Sequence, residues 1–249
     1  MIRFVRMMVF HVRDIAQNSY FVQLLLTSTI AVFALQLVAT STGSRNDPLV
    51  WLRSGMVGCW TMCTVSAGLI GYQRYRGTLV HLVIAPIGTN PALVPIIASA
   101  ATFGLLAFPL AAAAARTFRL DLGHGDVVLL LVAILVFWIS AVSMSLVIAA
   151  LFVLTPNALV YESLIATPVI LLAGIFGYPE ALGAFSDAAR ILPLRSAVDA
   201  IESAAVGDGN FWADALAAFA VSVLWIAGAA LASSVATRRA LRDGTLDLV

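Results

Sequence analysis

Four groups of residues in this chain have types and spacings that could support chemistry. The string Gly123-His124-Gly125-Asp126 has the Gly-x-Gly-Asp form in which a membrane aspartyl protease holds one of its carboxylates. That chemistry needs a second aspartate inside a neighbouring span, because two carboxylates must share one proton. Every other aspartate here stands in a polar loop, at a span end or in a tail. The string therefore reads as a turn and a helix N-cap, roles that glycine and aspartate fill well. A Ser–His hydrolase fails for want of an intramembrane base, since His11, His81 and His124 all occupy polar segments. Cys59 and Cys63 are spaced i, i+4 in an apolar run without metal-ligating neighbours, and read as small packing residues. Glu162 falls two residues into an apolar run, where a carboxylate is costly unless paired or wetted. Either that helix starts a turn later and Glu162 faces the cytoplasm, or it pairs with Arg74 or Arg76.

Composition sets the solvent. Of 249 residues, 61% are hydrophobic and 11% charged, with a mean hydropathy of +1.00. Soluble domains are about half apolar and about a quarter charged, so lipid is the expected surround. All 14 basic residues are arginine. A phosphate-binding loop needs a lysine to reach the terminal phosphates, so the chain lacks that ATP site and no enzyme activity of its own is expected. A net charge of +1 and scattered arginines argue against nucleic acid as a partner.

The elements that must position these residues are helices. About 20 apolar residues make one crossing, and six runs reach that length: 20–38, 51–71, 92–115, 127–154, 160–178 and 211–236. The expected fold is thus an all-α integral membrane protein with six spans, forming a single domain over 1–249. Arg53, near the outer end of the second run, is expected to snorkel to the headgroups. Pro91, Pro95 and Pro109 predict a kinked or broken third helix. Residues 1–19 repeat apolar side chains at Val5, Met8, Val9, Val12 and Ile15, which predicts an amphipathic helix lying in the interface. Arginine counting, with the cluster Arg238-Arg239-Ala240-Leu241-Arg242 after the last run, favours both termini in the cytoplasm of a multi-pass cell-membrane protein. No stripe of charges is visible inside the spans, so an energy source outside the chain is expected.

Two segments exceed what simple turns require. Residues 72–87 carry Gln73, Arg74, Tyr75, Arg76, Gly77, Thr78 and Leu79, then His81, Leu82 and Val83, and close at Pro86. Two arginines, a glycine bend, a short one-sided apolar helix over 77–85 and a proline stop predict a rigid charged knob at the membrane surface. Residues 179–210, opening at Pro179 and including Pro193 and Asp199, hold apolar pieces too short to cross. Such half-helices are tolerated in lipid only where protein covers their backbone. An outer re-entrant hairpin is the expectation, with a loop of surface helices as the alternative.

These two segments carry a resemblance. Gln73-Arg74-Tyr75-Arg76-Gly77-Thr78-Leu79 with Ala85-Pro86-Ile87 resembles the loop between spans two and three in permease subunits of ABC type-2 exporters. Leu172-Ala173-Gly174-Ile175-Phe176, then Leu192-Pro193-Leu194 and Asp199, looks like that family's fifth-span end and re-entrant hairpin. Val80 stands where the family usually has an acid, and Gln73 and Tyr75 replace charges. The resemblance implies a coupling helix docking on a separate ABC ATPase subunit that binds ATP and Mg2+. It also implies a second permease chain, identical or not, and export of a hydrophobic or amphipathic cargo, as in multidrug efflux or lipid transport. A membrane-embedded enzyme or a secondary carrier without an ATPase partner is the alternative.

Overall fold

The structure is a computed structural model that describes residues 2–42, 47–75, 89–123, 125–154, 158–178, 186, 188–207 and 210–242. All regular structure among them is helical. Four helical stretches are long and apolar enough to cross a membrane: Ser19–Thr40, Val94–Thr117, Val127–Phe152 and Phe211–Val235. They coincide with four of the six expected runs.

The first helix, α1 (Ile2–Gln17), has one side turned to the protein, with Ile15 buried and Met8, His11 and Val12 half-buried. Val5 and Val9 lie exposed with Phe4 and Phe10. The helix therefore splits its apolar residues between protein and surroundings. Asn18 ends it and caps α2 (Ser19–Thr42), its side-chain oxygen accepting the Tyr20 N–H at 3.0 Å.

At the centre stands α3 (Val50–Tyr75), which packs against most of its neighbours in the bundle. Leu52, Met56, Cys59, Trp60, Met62, Cys63 and Ala67 are fully buried around its circumference. Small residues allow this crowding. A Cβ on Gly58 would stand 2.1 Å from Thr29 Oγ1 and 2.8 Å from Ala107, and one on Gly55 would stand 2.6 Å from the Phe108 ring. Both cysteines are free and buried on this helix.

The third run divides into α4 (Thr89–Gly104) and α5 (Ala107–Thr117), and proline explains where. Pro109 has no N–H and its ring crowds the carbonyl of Leu105, four residues earlier. The chain switches there to tighter bonds, Leu105 N–H to Thr102 O and Leu106 N–H to Phe103 O. Pro95 sits inside α4 without breaking it.

After the loop, α6 (Val127–Leu154) runs 28 residues without a charge, and α7 (Ala158–Leu172) follows. The fifth run was expected to stay helical to residue 178. It stops at Leu172 because Gly174 and Gly177 take φ of +70° and +81°, a left-handed turn that cannot continue the helix. Trp60 of α3 fastens α7 by donating to Ala166 O at 3.1 Å. A single 3-10 turn, Ala189–Ile191, leads into α8 (Pro193–Val206), which has Pro193 in its first turn and Gly207 as its left-handed C-cap. The last helix, α9 (Phe211–Arg242), packs along α6 and α8.

Candidate functional site: a charged cleft along α8

The register of α8 decides the site. At its upper end the Ser203 hydroxyl donates to Asp214 Oδ2 at 3.2 Å, beside the start of α9. Ahead of its lower end, the Trp225 indole donates to Ile191 O at 3.0 Å. Residue 225 lies about 21 Å along α9 from Phe211 at 1.5 Å per residue. Hence α8 runs antiparallel to α9 and reaches down to the middle of the Phe211–Val235 span.

One face of α8 holds it there. Leu194, Ala197, Val198, Ala200, Ile201 and Ala204 are buried, mainly against α6 and α9. The loop over its top is shaped to fit. A Cβ on Gly125 would stand 2.2 Å from Ala204 O, so only glycine can pass. Asp126 accepts the Val128 N–H at 2.8 Å and starts α6, while Asp121 accepts the Gly123 N–H. Gly123, Gly125 and Asp126 therefore form the expected turn and cap; His124 lies outside the described residues.

The other face of α8 is charged and lines a cleft of about 410 Å³, together with Leu49, Arg190, Asn210 and Asp214. Arg195 Nη1 and Asp199 Oδ1 are 2.8 Å apart, an i, i+4 pair with both side chains mostly buried. The same guanidinium lies 4.8 Å over the Tyr178 ring and donates to Ala173 O at 3.4 Å. Tyr178 in turn donates its hydroxyl to Leu172 O. Gly174 leaves room for this arrangement, since a Cβ would stand 2.5 Å from Tyr178 and 2.8 Å from Arg195 Nη1. Nearer the upper end, Arg53 Nη1 pairs with Asp47 Oδ2 at 2.6 Å, and Arg53 Nη2 approaches Glu202 Oε1 at 3.7 Å. Arg53 thus turns inward to two carboxylates instead of snorkelling outward, because ion pairing inside the bundle satisfies its charge.

Near the start of α9 the Glu202 carboxyl is pushed up chiefly by burial, offset in part by Arg53. The arrangement suits binding of polar or charged groups. No cluster of three or more metal-ligating side chains suited to a metal ion exists among the described residues.

The sequence-predicted residues fall into four sets. Gln73, Arg74 and Tyr75 form the last turn of α3, their side chains beyond the described set. Arg76, Gly77, Thr78, Leu79, His81, Leu82, Val83 and Pro86 lie outside the described residues, as does Pro179. Glu162 stands in the first turns of α7, half-buried. Gly174 and Asp199 both lie beside Arg195 and Pro193 opens α8, while Phe176 is exposed. Sequence reasoning passed over Arg53, Arg195, Glu202 and Asp214 as partners; the Arg195–Asp199 pair lies on α8, outside the six expected runs. The signal was present in the spacing Arg195, Asp199, Glu202, one polar stripe on an otherwise apolar helix.

Comparison with known protein families, curated proteins and solved structures returns no match.

Proposed function

We propose that the chain is the transmembrane subunit of an ATP-binding-cassette exporter of the type-2 class. In this reading α3 and α7 complete six spans, and a partner ATPase supplies ATP hydrolysis with Mg2+. A second permease chain completes the pathway for a hydrophobic or amphipathic cargo. One observation carries the reading. The helix that touches α2, α4, α5, α6 and α7 is α3, and its C-terminal turn is the beginning of the arginine-rich segment 72–87. Force applied to that segment would enter the bundle through its best-connected helix.

The test is Leu82→Asp, made in the presence of the cognate ATPase. If 77–85 docks on the ATPase through Leu79, Leu82 and Val83, an unpaired charge there costs a few kcal/mol, roughly a hundredfold in affinity. The variant should insert normally, lose the ATPase on purification and stop transporting. Retention of the ATPase with intact transport would remove the reading's main support.

A second reading, a secondary carrier, draws on the Arg195–Asp199 pair beside the middle of α9. Ionisable pairs at such depth often mark coupled-ion pathways. Transport by the purified chain alone, driven by an ion gradient and independent of ATP, would select it.

A further inference from the structure

The cleft along α8 orders its charges by depth. Its lower end carries Arg190 and Arg195, beside the middle of α9; its upper end carries Glu202 and Asp214, near the start of α9. Asp199 lies between them and answers Arg195. Ions of both signs retain unmet bonding capacity in this region: Arg195 Nε, Arg53 Nε and Glu202 Oε1 are buried without a hydrogen-bond partner. The ends of α8 are flanked by exposed apolar side chains, Ile191 at 70% and Val206 at 69% exposure. The cleft is therefore polar inside and apolar at its margins.

A zwitterionic phospholipid has the same order of groups. Its phosphate sits nearer the acyl chains and its ammonium farther out, so basic residues are needed deep and acidic ones above. Arginine suits the phosphate because its planar fork offers several donors, and a carboxylate suits the ammonium. A plain anion would meet Glu202 and Asp214 at the entrance, and a plain cation would meet Arg190 and Arg195 below. The 410 Å³ of the cleft accommodates a headgroup but no acyl chains, which would remain at the apolar margin. From these features we propose that the α8 cleft draws the headgroup of a phosphatidylethanolamine-type lipid down from the interface of the adjoining leaflet, phosphate toward Arg190 and Arg195, ammonium toward Glu202 and Asp214. The site needs only the membrane-protein reading and is independent of any ATPase.

The probes are phosphatidylethanolamine and phosphatidylglycerol of matched acyl chains, which differ in whether the headgroup bears an ammonium. The full chain, purified from a bilayer containing equal amounts of both, is analysed for retained lipid by native mass spectrometry. Phosphatidylethanolamine should be retained about tenfold over phosphatidylglycerol, the weight of one charge-assisted contact. Glu202→Gln combined with Asp214→Asn should abolish that preference, with phosphatidylglycerol retention rising as the carboxylates that oppose an anion are removed. Equal retention of both lipids by the wild-type chain overturns the proposal without recourse to any variant. So does an undiminished preference in the double variant. Free phosphoethanolamine at matched concentration should not compete; if it displaces the lipid fully, the occupant is a soluble solute and the lipid assignment falls.

Discussion

α3 and α8 are both largely buried helices, but they are held by opposite means. α3 is surrounded by other helices and admits them with glycine, alanine, serine and cysteine, so its contacts are close and mostly apolar. α8 buries one face in the same apolar manner and presents Arg195, Asp199 and Glu202 on the other. Between helices in lipid there is little hydrophobic driving force, and close packing and hydrogen bonding take its place. α3 shows the packing solution. α8 shows what is required when charge is carried to depth: partners must travel with it, and Tyr178, Ala173 O and Asp199 all meet Arg195.

Breaking the charged half of this contrast should have the largest effect. Arg195→Met removes the partner of a mostly buried Asp199 and should cost about 3 kcal/mol or more, as orphaned buried charges do. Thermal unfolding in detergent would measure it. Adding Asp199→Leu should recover much of the loss, and failure to recover would show that Arg195 acts through Tyr178 and Ala173 instead of the pair.

The packed half breaks at Gly58. Gly58→Val places atoms where Thr29 and Ala107 already stand, forcing α2 and α5 away from α3. A loss of about 2 kcal/mol is expected from overpacking of this kind, read by the same unfolding measurement. Gly228→Val in α9 serves as the control, since nothing lies within 4 Å of a Cβ there. If both variants behave alike, close approach at α3 is not what holds the bundle.

The smallest effect sharpens the comparison through pH. Glu202 has a folded-state value raised chiefly by burial. A raised carboxyl binds its proton more tightly in the folded state, so its contribution to stability is fully present below the unfolded value, about 4. That contribution declines as pH rises through the higher folded value. Stability of the wild type should therefore fall over this window, and Glu202→Gln should flatten the slope. The α3 variants should leave the slope unchanged. A slope that is identical in wild type and Glu202→Gln would place the titration elsewhere.

The helices were legible in the sequence because membrane-length apolar runs need no tertiary information. A stretch such as 127–154, with no charge, has few alternatives to a helix in lipid. Proline also announced a break in the third run, although its location came from Pro109 acting on Leu105. Other features depended on distant partners. The end of α7 at Leu172 followed from left-handed glycines, and the space at Gly174 is set by Tyr178 and Arg195. Arg53 reads as a snorkelling residue until Asp47 and Glu202 are brought beside it.

The sequence by itself determined the solvent, the helical class, the lack of a phosphate-binding lysine and the cap at Asp126, because each follows from composition or from residues within a turn of one another. Only the tertiary structure decided where α8 lies. Its stripe of charges fits an outer surface loop as readily as a helix reaching mid-span, and local spacing is the same in both. The difference comes from Trp225 meeting Ile191 and Asp214 meeting Ser203. Those contacts join residues 34 and 11 positions apart, and no periodicity along a single helix encodes how deep another helix will sit.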